Sequence, residues 1–111
     1  MALSRRAREM AAEIRGHDWK DAPYRMDRAG HQRRHDTSKR SEKELTANET
    51  ESVRTNVAWV AAQCLGYEDP NFDVVEFMRA CGVERLSTSS LQYGVRRLAD
   101  GSFDEPGSVN W

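Results

Sequence analysis

"LTANETESVRTNVAWVAAQCLGYEDPNFDVVEFMRACGV", Leu45 to Val83, decides how the rest of this chain is read. Its first half predicts a helix over about 48–65. Thr46 with Glu49 fits a capping box, in which each residue satisfies a backbone N–H of the other. Glu49 and Glu51 suit the positive end of the helix dipole, and Gly66 is a natural stop. Val53, Val57, Val60, Ala61 and Cys64 fall within one narrow arc, with Ala58 and Leu65 at its edge. That arc is the expected buried seam. Asp69-Pro70-Asn71 then makes a turn. A second helix is predicted over about 71–81, with Val74, Phe77, Met78 and Cys81 as its seam, Val75 beside them and Gly82 ending it. A connection this short packs the two as an αα-hairpin.

Outward from the hairpin the pattern weakens. Toward the N-terminus, Leu3, Ala7, Met10 and Ile14 recur on one helical face, widened by Ala11, which predicts an amphipathic helix over about 4–15. Ser4 caps its start and Gly16 ends it. Asp21 before Ala22-Pro23 begins a short helical turn, and Trp19, Tyr24 and Met26 anchor that segment. Residues 31–44 are almost wholly polar and lack period, so a long charged, flexible arm is expected. Toward the C-terminus, Leu91, Val95 and Leu98 fit a helix within 87–99 capped by Ser87 or Thr88, although Leu91, Tyr93 and Val95 also alternate as a strand would. Residues 100–111 read as a loose tail. The expectation is one mostly α domain: N-terminal helix 4–15, arm 31–44, helical core 45–99, tail 100–111.

Composition agrees with a small core. Of 111 residues, 38% are apolar and 32% charged, so part of the chain stays outside the interior. The longest apolar run, Val57 to Ala62, is far too short to span a membrane. The arginines near the start have no apolar segment behind them, which argues against a secretory signal and for a cytoplasmic protein. The two cysteines, Cys64 and Cys81, fall at apolar helical positions and read as buried thiols. Charge is asymmetric. Residues 1–44 hold twelve Lys/Arg against eight Asp/Glu, a net of +4, and residues 45–111 hold five against ten, a net of −5. The first part attracts polyanions, or the second part.

Glu68 to Val83 carries a likeness. Asn71, Phe72, Asp73, Phe77, Ala80, Cys81 and Gly82 make an Asn-x-Phe-Asp turn leading into a short helix that ends Ala-Cys-Gly. In these residues the chain resembles small accessory proteins of actinobacterial phages. The resemblance implies a phage accessory protein and no catalytic role, since these are turn, core and helix-stop residues.

The chemistry-bearing stretch is "DRAGHQRRHDTSKR", Asp27 to Arg40. Were it helical, Asp27, His31 and His35 would share a stripe, and an i, i+4 histidine pair can chelate a transition metal. Gly30 interrupts such a helix, and the zinc-protease pattern lacks its glutamate, Gln32 standing there instead. A metal-dependent nuclease or hydrolase on these three residues is therefore the minority reading, and no cofactor is expected. A basic arm over 25–43 is the better one: Arg25, Arg28, Arg33, Arg34, Lys39 and Arg40 for phosphates, with Trp19 and Tyr24 to stack on bases. Interleaved acids dilute its field. A protein partner, whether a host factor or a second copy, ranks first. Trp59 points away from the expected seam, either packed under the N-terminal segment or free as an interface anchor. Trp111, at the end, is the second interface candidate.

Overall fold

The computed structural model describes residues 3–108; Trp111 lies outside them. Among the described residues four helices follow one another: α1 (Arg5–Gly16), α2 (Ala47–Glu68), α3 (Val74–Ala80) and α4 (Thr88–Tyr93), with a single 3-10 turn at Ala22–Tyr24. The fold is mostly α, as expected, with α2 and α3 forming the hairpin.

Each helix begins where its cap dictates. The Ser4 hydroxyl accepts from the Ala7 N–H at 3.2 Å. Thr46 and Glu49 close a full capping box, at 2.9 and 3.1 Å. Asp73 accepts from the Glu76 N–H at 3.0 Å, so α3 starts at Val74 rather than near Asn71. Ser87 accepts from the Ser90 N–H at 3.2 Å. These oxygens satisfy N–H groups that the first helical turn cannot.

The core gathers Ala7, Ala11 and Ile14 from α1, and Ala58, Ala62 and Leu65 from α2. Val74, Phe77 and Met78 from α3, Cys81, Val83 and Leu91 complete its centre. α1 packs on both α2 and α3, and α3 also carries α4. Phe77, Met78 and Leu91 are fully buried, and each contributes about 1.5–3 kcal/mol over leaving it exposed. Leu3, Ala7, Ala11 and Ile14 are buried as their period requires.

The seam of α2 is not the expected one. Val60 is 71% exposed and Cys64 is exposed as well, while Val53 and Val57 are half-buried. The helix turns its Thr55, Ala58, Ala62 and Leu65 side inward instead. Two polar-capable residues explain the rotation. Gln63, only 6% exposed, makes three hydrogen bonds: its amide donates to the carbonyls of Arg96 (3.1 Å) and Asp104 (2.9 Å), and its oxygen accepts from the Arg96 N–H (2.7 Å). Trp59 donates from Nε1 to the Leu91 carbonyl at 3.0 Å. A buried polar group that is fully bonded is cheap, so the C-terminal segment covers this side.

That segment is therefore fastened where a longer helix and a loose tail were expected. α4 ends at Tyr93. The chain then folds back on itself, with Leu98 N–H donating to Ser102 O (2.8 Å) and Asp104 N–H to Arg96 O (3.0 Å). Phe103 is 9% exposed. Its ring lies on Gly66, where an added Cβ would stand 2.3 Å from Cε2. Gly66 thus lies inside α2, as the landing place of an aromatic ring, and does not stop the helix.

Candidate functional site

The polar segment between α1 and α2 is organised by Asp21. A one-turn helix at Ala22–Tyr24, with Pro23 inside it, folds Arg25 back onto Asp21, Nε to Oδ1 at 2.9 Å. Arg33 donates to Oδ2 at 2.8 Å, and the Ser41 N–H to the same oxygen at 2.9 Å. Asp21 has no exposed surface. Burial works to raise its pKa, but the Ser41 N–H and the two guanidiniums together hold the carboxyl below its ordinary value. Arg33 also pairs with Glu44 at 3.0 Å and donates to the Ser41 carbonyl. The expected arm has no regular helix or strand, but its two ends are tied to one buried carboxylate.

Beside this hub sits His31, 1% exposed. Gly30 brings it there: at φ +87° it reverses the chain, a conformation open to glycine. His31 Nδ1 stands 2.8 Å from Asp27 Oδ2 and 3.4 Å from Asp36 Oδ2. On the far edge of the ring, Nε2 is 3.7 Å from Asp21 Oδ1 and makes no hydrogen bond among the described residues. Asp27 is held below the ordinary carboxylate range, first by the Arg28 N–H and then by His31. The neighbouring His17 is lowered by burial and then by the charge of Arg25, and accepts the Gly30 N–H at Nδ1 (3.2 Å).

Asp27 and His31 are thus brought together without a helix, while the third partner is Asp36 and not His35. His35 is exposed and outside the group of donor atoms that Asp27, His31 and Asp36 form. A turn, not an α-helix, spans these residues, so the i+4 stripe through His35 does not exist.

The basic candidates divide. Arg25 and Arg33 are locked in ion pairs, with side chains 8% and 16% exposed. Arg28, Arg34, Lys39 and Arg40 face solvent, although Arg40 also donates to the Arg33 carbonyl at 3.2 Å. Trp19 is half-buried; its Nε1 donates to the Ile14 carbonyl at 2.9 Å, and its ring packs 4.3 Å from that of His17. Tyr24 is exposed beneath Lys43. Trp59 is half-buried and packs against the C-terminal segment rather than under α1. It lines a shallow groove with Thr55, Asn56, Arg85 and Leu86.

The outward face of α2 is the remaining feature. Val53, Val57, Val60, Cys64 and Tyr67 follow one another at steps of four and three residues. That spacing makes one stripe of an α-helix. It passes from half-buried at Val53 and Val57 to open at Val60, Cys64 and Tyr67, which is 51% exposed. Sequence reasoning found the valines but assigned them to the core, and left Tyr67 out. The period alone extends the stripe to it. Asp21 and Asp36 were also missed: Asp21 had its Arg25 partner in reach at i+4, while Asp36 had no local signal beyond its histidine neighbour.

Compared with known proteins, the chain matches no family model, no curated protein and no solved structure.

Proposed function

We propose that this chain acts by binding a protein partner, not by catalysis, and that the partner packs an amphipathic helix along the outward stripe of α2. The observation that carries this reading is the exposure of Val60, Cys64 and Tyr67 on the most apolar stripe of the longest helix. Helix-in-groove recognition uses anchors at this spacing. Burying what remains open of Val60 and Tyr67 supplies on the order of 3 kcal/mol, a useful part of a micromolar affinity. The role is compatible with the resemblance to small phage accessory proteins, which implies no catalytic role.

Val60→Glu tests it. The position is open, so the variant keeps the parent's circular dichroism and melting temperature. The expected result is loss of one specific partner in a quantitative pull-down from host cells, or loss of a dimer in sedimentation. An unchanged set of bound proteins together with unchanged sedimentation refutes it.

Nucleic acid is the second reading, favoured by the exposed Arg28, Arg34, Lys39 and Arg40. Phosphate contacts by this group would weaken steeply with salt, because each neutralised phosphate releases counterions. Anisotropy titrations at two salt concentrations, with and without Arg34→Ala/Arg40→Ala, distinguish it from protein binding.

A further inference from the structure

We propose that Asp27, His31 and Asp36 form a binding site for a divalent first-row transition cation, with Zn²⁺ as the ion of choice, and that the ion clips the 27–36 turn shut. His31 Nδ1 faces two carboxylate oxygens at once, Asp27 Oδ2 at 2.8 Å and Asp36 Oδ2 at 3.4 Å. A single proton on Nδ1 serves one of them. A cation serves both. Zinc sits about 2.0–2.2 Å from nitrogen and oxygen ligands, so its ligand atoms lie up to roughly 4.2 Å apart. All three donor atoms lie within 4.8 Å of one another. The two carboxylates keep some solvent exposure, 13% and 27%, so they have room to rotate onto one ion.

The second, independent observation is the other edge of the ring. His31 is buried, and Nε2 has no hydrogen-bond partner among the described residues. Asp21 Oδ1 stands 3.7 Å away, and its carboxylate already serves Arg25, Arg33 and Ser41. A metal on Nδ1 leaves the ring proton at Nε2, on the side of Asp21. A small approach from 3.7 Å would complete the carboxylate–histidine–metal arrangement, in which an outer carboxylate orients the ligating ring. Backbone donors orient the ligands as well: the Arg28 N–H holds Asp27 and the Gln32 N–H holds Asp36, both at 2.8 Å.

Charge points the same way. Asp21, Asp27, Asp36 and Glu44 form the acidic side of the ion pairs around His31 and Arg33, against Arg25 and Arg33. Carboxylates thus outnumber guanidiniums in these ion pairs, a surplus that favours a bound cation. One imidazole nitrogen with two carboxylates, and no thiolate, suits zinc and its neighbours better than magnesium or calcium, which prefer all-oxygen sets. Three protein ligands leave the rest of the coordination sphere to water.

The experiment is calorimetric titration of the full chain with ZnCl₂, repeated with MgCl₂, alongside thermal melts with and without zinc. The expected result is one saturable zinc site, a higher melting temperature with zinc, and no comparable effect of magnesium. Asp36→Asn keeps the fold, because its side chain is partly open and retains an acceptor for the Gln32 N–H. It should weaken zinc at least about tenfold, the lower end of what even an outer-sphere substitution costs, and remove the thermal gain. His35→Ala should leave both unchanged. The proposal is overturned by absence of saturable binding, by binding that Asp36→Asn leaves intact, or by binding that His35→Ala abolishes, which would mark a surface histidine as the site.

Discussion

Gly94→Ala isolates what Trp59 does for the fold. Gly94 has φ −75° and ψ −11°, which alanine adopts freely. Narrowing the unfolded ensemble then favours alanine by about 0.4–1 kcal/mol. Sterics oppose it. An added Cβ would lie 1.7 Å from Trp59 Cε2 and 2.0 Å from Nε1, so either the indole or the backbone at 94 must move. Either motion disturbs the 3.0 Å bond from Nε1 to the Leu91 carbonyl, worth about 0.5–1.5 kcal/mol, and adds an overpacking cost of about 1–3 kcal/mol. The net is a destabilisation of about 0.5–4 kcal/mol. At roughly 4 °C per kcal/mol for a domain of this size, the melting temperature should fall measurably in calorimetry or circular dichroism. Trp59→Leu removes the ring that the Cβ strikes, so Gly94→Ala made in that background should be neutral or slightly stabilising. A melting temperature for Gly94→Ala at or above the parent's refutes the reasoning, as does an equal loss in both backgrounds.

Other outcomes follow from the same contacts. Asp21→Asn leaves Arg25 and Arg33 short of a buried charge partner, so about 3 kcal/mol of local stability should go; amide exchange across residues 18–41 should accelerate while α2 stays protected, and uniform protection would contradict the hub. The thiols should separate sharply. Cys64 is exposed, whereas Cys81 is buried and burial pushes its pKa up to about 12. A thiol reagent at mildly alkaline pH should therefore label one cysteine quickly in the native protein and both only after denaturation, since the thiolate is the nucleophile. Two fast thiols in the native state would show that Cys81 is not enclosed as described.

The helices were legible because their signals are local. Caps at Ser4, Thr46 and Ser87 act over three residues, and the α1 and α3 faces bury what their period singles out, Met10 only in part. The orientation of α2 was not legible. Periodicity identifies an apolar stripe on a helix, but it does not say whether a stripe of alanines or a stripe of valines is covered. That choice is made by Gln63 and Trp59, whose partners lie about thirty residues away in the C-terminal segment. The cluster around His31 was half legible. Asp27 and His31 were paired by spacing, but the turn at Gly30 substitutes Asp36 for His35. The contacts of Asp21 to Arg33 and Ser41 span twelve and twenty residues through a segment with no period at all.

The Asp21 hub gives this protein two thermal scales. The helical core is held by apolar burial, which weakens on cooling because its exposure raises the heat capacity. The 18–41 loop is held by guanidinium, carboxylate and backbone amide groups, and exposing polar surface lowers the heat capacity instead. Its ion pairs also become less costly to desolvate as temperature rises. Cooling therefore spares the loop while the core softens. Guanidinium chloride, acting as a salt as well as a denaturant, should release it at concentrations where urea leaves it closed.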